Sequence, residues 1–117
     1  MDAGHLSSAA LMLSGAAGVV IPERVAEALQ LHPVSPRAIT ETRAGLGGTF
    51  AALGAYALLS RSAGAQRAVG ATWLGAGAVR LVGLRLDRPR TDATYWAYLA
   101  AELGLGTAAV LAARARR

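Results

Sequence analysis

Two charged residues of this sequence, Arg80 and Glu102, lie inside long apolar stretches, where an ionisable side chain is costly and needs an explanation. Arg80 falls about six residues before the end of one stretch, and Glu102 falls about nine residues into the next. At about 1.5 Å per helical residue, both charges lie roughly 9–14 Å from the same end of two consecutive antiparallel helices. The spacing therefore predicts an ion pair between them.

Three further polar residues are expected near this pair, namely Glu41, Arg43 and Tyr98. Glu41 and Arg43 open the preceding predicted helix, which begins at the same end of the molecule. An arginine in the first turn of a helix opposes the helix dipole, so we expect Arg43 to find an outside partner, either Glu102 or an anionic ligand. Tyr98 shares a helix face with Glu102 and Tyr95. The candidate polar cluster is thus Glu41, Arg43, Arg80, Tyr98 and Glu102.

This cluster has three interpretations. It is a structural clamp that sets the helix register, or a polar pocket that holds a carboxylate, a phosphate or a lipid headgroup, or an acid/base site built on Glu102. We find no catalytic constellation and expect a non-enzymatic protein without a cofactor. The chain has no cysteine, and neither His5 nor His32 has an acidic neighbour at metal-ligand spacing, so no metal site is expected.

The elements that would position the cluster are four runs that are almost free of charge. The chain has 117 residues, of which 54% are hydrophobic and only 16% are charged. Each run approaches the length of about 20 residues that a helix needs to cross a bilayer. We predict an all-α, four-helix, up-down transmembrane bundle forming one integral membrane domain over residues 1–117, with helices at about 4–21, 41–60, 66–86 and 93–113 and an interfacial helix at 23–31.

Two other architectures would also place apolar runs in a short chain. A soluble alanine-rich bundle would carry a polar outer stripe on each helix, which these runs lack. A signal peptide would begin with a positively charged segment, whereas this chain begins Met1-Asp2-Ala3-Gly4-His5. We therefore prefer four retained membrane helices.

Helix ends and small residues add detail to the prediction. Thr40 is the expected N-cap of the second helix, and Thr91 or Asp92 that of the fourth. Small residues spaced four apart allow helices to approach closely in lipid. Such stripes occur at Ala44/Gly48/Ala52, at Gly47/Ala51/Ala55 and at Ala100/Gly104/Ala108/Ala112.

The net charge of +5 is the difference between 12 arginines and seven acidic residues, and most of the arginines are scattered over connectors and tail. This scatter does not form the single basic face that nucleic acid requires, so we expect no nucleic-acid partner. The expected partners are the lipid bilayer and a second copy of the chain or another membrane protein, with an anionic small molecule or lipid as the alternative. When Arg43 and Arg85, at the margins of the helices, are set aside, five arginines on the side of both termini against four on the other favour an inner-membrane protein with its N- and C-termini inside.

The charged residues and their neighbouring glycines also form a spaced pattern. It reads Glu41-x-Arg43-x-x-x-Gly47-Gly48, then Gly77-x-x-Arg80, then Asp87-x-Pro89, and finally Glu102. From about residue 6 to residue 113 it resembles the domain-of-unknown-function 4345 family, small bacterial membrane proteins with four predicted helices. Many members have a tyrosine before the Gly-Gly pair, where this chain has Leu46. The resemblance implies the four-helix fold and the same charged positions, and it implies no activity.

Overall fold

The computed structural model describes residues 2–116, which are helical throughout except for short connections and include no β-strand. The chain is therefore all-α, as predicted. Its elements in chain order are α1 (Ala3–Val20), α2 (Pro22–Ala28), α3 (Pro36–Thr42), a π-helical segment (Arg43–Gly48), α4 (Thr49–Ser60), α5 (Ala63–Leu86) and α6 (Ala93–Ala115).

Helix α2 lies where the short interfacial helix was expected, and local sequence explains both of its ends. Pro22 occupies the first turn, where its missing N–H costs nothing. At the other end Gln30 adopts the left-handed conformation (φ 56°), and the N–H of Leu31 donates to the carbonyl of Ala26 at 2.8 Å. This is the Schellman arrangement that terminates many helices. It fixes the position of Gln30 beside the site described below.

The second long helix begins earlier than the sequence predicted. Its N-cap is Ser35, whose hydroxyl accepts from the N–H of Ala38 at 3.1 Å, and Pro36 occupies the first turn. The expected N-cap, Thr40, lies inside α3. Helix α3 continues without a break through the π segment into α4. By contrast the predicted cap of α6 is correct, because Asp92 accepts from the N–H of Tyr95 at 2.9 Å.

The long helices pack through glycines at which the backbones nearly touch. Helix α1 packs mainly against α4 and the π segment, and α5 packs mainly against α6. A Cβ atom at Gly47 would lie 2.6 Å from the backbone nitrogen of Val19, and one at Gly106 would lie 3.0 Å from that of Leu74. The contact of Gly47 agrees with the stripe Gly47/Ala51/Ala55, which faces α1. Close packing of this kind depends on having no side chain at the contact.

The other two small-residue stripes face outward. Ala44, Gly48 and Ala52 are exposed, and so are Ala100 and Gly104, with no side chain or neighbouring helix backbone within 4 Å of a Cβ placed at Gly104. For these five residues the predicted role in packing within the chain is wrong, whereas Ala108 and Ala112, the other members of the α6 stripe, are half-buried. The buried face of α6 instead carries Leu99, Glu102, Gly106, Ala109 and Ala113.

Among residues 2–116, fourteen large apolar side chains are exposed, and most of them lie on the long helices. Leu13, Leu59, Val79 and Leu111 are examples, each more than half exposed. Within residues 2–116, helices α1 and α6 are long and apolar enough to cross a membrane.

The chain termini and the α4–α5 connection meet at one end of the bundle. The guanidinium of Arg116 donates to the carboxylate of Asp2 at 2.8 Å and to the backbone carbonyl of Arg61 at 2.7 Å. These contacts place the start of α1, the α4–α5 connection and the end of α6 close together.

Candidate functional site between α5 and α6

The predicted ion pair joins α5 to α6 through two parallel hydrogen bonds. Arg80 Nε donates to Glu102 Oε1 at 2.7 Å, and Arg80 Nη2 donates to Glu102 Oε2 at 3.0 Å. The Glu102 side chain is 5% exposed and that of Arg80 is 24% exposed. Gly77, one turn before Arg80, faces α6 beside this pair, where a Cβ would lie 2.8 Å from Leu103 Cδ2 and in ordinary contact, at 3.4 Å, with Glu102 Cβ. Two-point geometry is the strongest arrangement that an arginine and a carboxylate can make.

Two tyrosines of α6 surround the guanidinium of Arg80. Its Cζ atom lies 5.4 Å from the ring centre of Tyr95 and 5.6 Å from that of Tyr98. The Tyr95 hydroxyl also donates to the backbone carbonyl of Arg80 at 2.8 Å. Aromatic rings at this distance stabilise a cation through their electron-rich faces. Arg80 is therefore held by three side chains of one helix.

The other two members of the predicted cluster have different partners. Glu41 is exposed and pairs with Arg37 one turn earlier at 3.7 Å. Arg43 donates to the backbone carbonyl of Val19, near the end of α1. The expected contact of Arg43 with Glu102 is wrong. Because the helix begins at Pro36, Arg43 is not in its first turn, and the cation instead neutralises the negative end of the α1 dipole.

Arg80 lies between two spaces in the structure. The first, here called the outer cavity, has a volume of about 160 Å³ and reaches Gln30, Arg90, Asp92 and Tyr95. Its walls come from the end of α2, the α5–α6 connection and the first turns of α6. Two arginines and one aspartate line it, with Glu102 directly behind Arg80. The four charges sum to zero.

The second space, here called the inner cleft, also has a volume of about 160 Å³ but is mostly apolar. It shares Leu29, Arg80 and Tyr98 with the outer cavity. Its remaining walls are Ser14, Val25, Leu46, Phe50, Trp73, Ala76 and Glu102. The ion pair thus forms the polar end of an otherwise apolar cleft.

The chemistry available at this site is that of a neutral, hydrogen-bonded pair. Each charge is compensated by the other, so neither is presented alone to a substrate. Among residues 2–116, no three histidines or acidic residues lie close enough together to hold a metal ion. The arrangement can fix two helices in register and can offer the remaining N–H donors of Arg80 to a neighbouring polar group.

Sequence reasoning missed part of the site. Tyr95 shares the face of Glu102, as the spacing predicts, but spacing does not predict its hydrogen bond to the Arg80 carbonyl. Trp73 was not recognised as a wall residue, although it precedes Arg80 by seven positions and hence lies on the same face of α5. No sequence pattern predicts that Gln30 and Arg90 lie at the site, because both belong to irregular connections between helices.

No protein family, no curated protein and no solved structure matches this chain. The resemblance to the domain-of-unknown-function 4345 family therefore stays a prediction.

Proposed function

We propose that the chain is a four-span integral membrane protein without enzymatic activity that works as an oligomer or as an accessory subunit of a membrane complex. The observation that carries this proposal is that the deep charges are paired inside the molecule while apolar side chains cover its outside. The one deeply buried acid, Glu102, is paired with Arg80, whereas large apolar side chains cover the outer helix faces. A bilayer is the solvent that suits such a surface.

Helix length supports two spans beyond α1 and α6. Helix α5 has 24 residues, which gives a length of about 36 Å against a bilayer core of about 30 Å. The continuous helix from Pro36 to Ser60 is of similar length. A lone arginine costs about 2.5–3.5 kcal/mol in the middle of an inserted helix. Pairing with Glu102 offsets part of that cost and makes α5 a reasonable span.

Single-cysteine labelling tests the span number and the orientation, because the native chain has no cysteine. We expect Ser35→Cys to react with a membrane-impermeant maleimide in intact cells. Ser62→Cys, on the side of both termini, should react only after permeabilisation. The reverse pattern would overturn the orientation with both termini inside, and labelling of both in intact cells would exclude four spans.

Assembly is supported by the exposed small residues of the two outward stripes, Ala44, Gly48, Ala52, Ala100 and Gly104, which leave helix surface open to a neighbouring chain. Native mass spectrometry in mild detergent should show a homo-oligomer or a co-purified membrane protein. A monomer without any partner under these conditions would contradict the proposal.

One observation favours the alternative, which is binding or transport of a small anionic solute or lipid headgroup. Arg80 and Arg90 line the same outer cavity. Under this alternative Arg80→Ala abolishes binding of inorganic phosphate or of anionic lipid while the bundle stays folded. Under the leading proposal Arg80→Ala and Glu102→Ala both unfold the protein, because each leaves a buried charge without its partner.

A further inference from the structure

We infer that the inner cleft is a binding site for a small, uncharged, ring-containing amphiphile, with the ring between Phe50 and Trp73 and its polar group toward Arg80 and Tyr98. This role goes beyond the structural role proposed above. The cleft exists whatever the location of the protein, and only the route of entry from lipid rests on the proposed function.

The size of the cleft sets the size of the ligand. An apolar protein cavity of about 150 Å³ is known to hold a benzene molecule. The inner cleft, at about 160 Å³, therefore accommodates one six-membered ring with a small substituent. Three of its wall residues, Phe50, Trp73 and Tyr98, are aromatic. Offset or edge-to-face contacts with aromatic walls favour a flat ring.

The charge balance sets the polarity of the ligand. Arg80 and Glu102 already neutralise each other at 2.7 and 3.0 Å. A charged ligand group would have no counterion in the mostly apolar cleft and would pay a large desolvation cost. A neutral hydroxyl or carbonyl pays far less, because Arg80 keeps three of its five N–H donors and Tyr98 and Ser14 supply hydroxyl groups.

Access to the cleft is open in the structure. Ser14 on α1 and Ala76 on α5 line it and are themselves exposed. A ligand dissolved in the surrounding apolar phase can therefore reach the cleft without a rearrangement of the helices.

Tryptophan fluorescence provides a sharp test, since the chain has two tryptophans in different surroundings. Trp73 lines the cleft, whereas Trp96 lies elsewhere and is 49% exposed. The full chain is placed in nanodiscs as two single-tryptophan forms, Trp96→Phe and Trp73→Phe, and titrated with 4-bromophenol, a neutral quencher of the expected size. We expect saturable quenching of Trp73 and only linear quenching of Trp96 by probe dissolved in the lipid.

Cavity-filling variants test the location. In the Trp96→Phe background, Ala76→Leu should weaken the saturable binding about tenfold or more. Ala78→Leu, on the same helix but exposed and outside the cleft, is the matched control and should leave it unchanged. Ser14→Leu fills the cleft from α1 and replaces Ala76→Leu if that variant does not fold.

Three results would overturn the inference. The first is linear quenching of Trp73, as expected if lipid chains fill the cleft. The second is saturable binding that a folded cleft-filling variant leaves unchanged. The third is that the control Ala78→Leu weakens the saturable binding as much as Ala76→Leu does. None of them bears on span number or assembly, so this site fails or stands separately from the proposed function.

Discussion

The guanidinium of Arg80 and the carboxylate of Glu102 connect α5 and α6 through two nearly parallel hydrogen bonds of 2.7 and 3.0 Å. One partner is almost fully buried, and the other is screened by two tyrosine rings. The pair is thus shielded from solvent on most sides. At a site shielded from solvent, leaving one charge unpaired lowers the free energy of unfolding by more than the intact pair adds to it. Single and double substitutions should therefore behave differently.

We predict strong non-additivity between substitutions of the two residues. Arg80→Met or Glu102→Met alone should lower the free energy of unfolding by about 3–5 kcal/mol, because each leaves one buried charge unpaired. The double variant should lie close to wild type, since two apolar side chains of similar volume replace the pair. A double-mutant cycle on thermal unfolding in detergent measures the coupling. Additive effects would show that the pair is not a clamp.

Tyr95 should contribute through one hydrogen bond. Tyr95→Phe removes the bond to the Arg80 carbonyl but keeps the ring near the guanidinium, so we predict a loss of about 0.5–1.5 kcal/mol. Tyr56→Phe is the matched control, since Tyr56 is 63% exposed, and it should change stability by less than about 0.5 kcal/mol. Equal effects of both variants would mean that the Tyr95 bond contributes nothing measurable.

The sequence alone was enough to predict the long helices, apart from the start and the π segment of the second, and the Arg80–Glu102 pair, for one physical reason. Charge-free runs of bilayer length define the helices, and in two consecutive antiparallel helices the distance of each residue from the shared connection fixes its height along the bundle. Arg80 and Glu102 had compatible heights, and no other charge lay so deep in the apolar runs.

The remaining members of the cluster could not be predicted in the same way. Height does not specify the direction in which a side chain points around the helix. Arg43 was expected to point toward Glu102, but it donates to the carbonyl of Val19 near the end of α1. The π segment also changes the direction, around the helix axis, of the side chains that follow it. Its sequence, Arg43–Gly48, contains three glycines and shows no periodicity that predicts a π-helix. Cavity residues such as Gln30 depend on a connection that has no periodicity.

The contact between α1 and the π segment gives a prediction about packing. Gly47→Ala should destabilise the fold by about 1–3 kcal/mol, because its new methyl group would meet the backbone of Gly18 and Val19 at 2.6–2.7 Å, and backbone cannot move aside as a side chain can. Gly45→Ala, two residues earlier in the same segment, has nothing within 4 Å and should be neutral or slightly stabilising. Thermal unfolding of the two variants in the same detergent compares them directly, and a fold that tolerates both equally would disprove the close approach.

The contact between the two ends of the chain makes stability depend on pH. The pKa of the Asp2 carboxyl lies well below its ordinary value of 3.8. The largest cause is the hydrogen bond from the Arg116 side chain, followed by the hydrogen bonds from the backbone N–H and the ring of His5. A depressed pKa in the folded state means that the stabilisation is complete above pH 3.8 and is lost as the pH falls toward the folded value.

Asp2→Asn should therefore lower the unfolding temperature at pH 7, and the difference from wild type should shrink as the pH is lowered below about 4. High salt should reduce the difference at pH 7 as well, because the contact is exposed and is screened by ions. Glu41→Gln is the control, because it removes an exposed pair with a longer contact of 3.7 Å that should contribute about 0.3–0.5 kcal/mol at most. If the Asp2→Asn difference is the same at pH 7 and at pH 3, the carboxylate charge is not its source. Asp2 is also the N-cap of α1, but asparagine caps a helix about equally well, so loss of the cap would not explain the difference either.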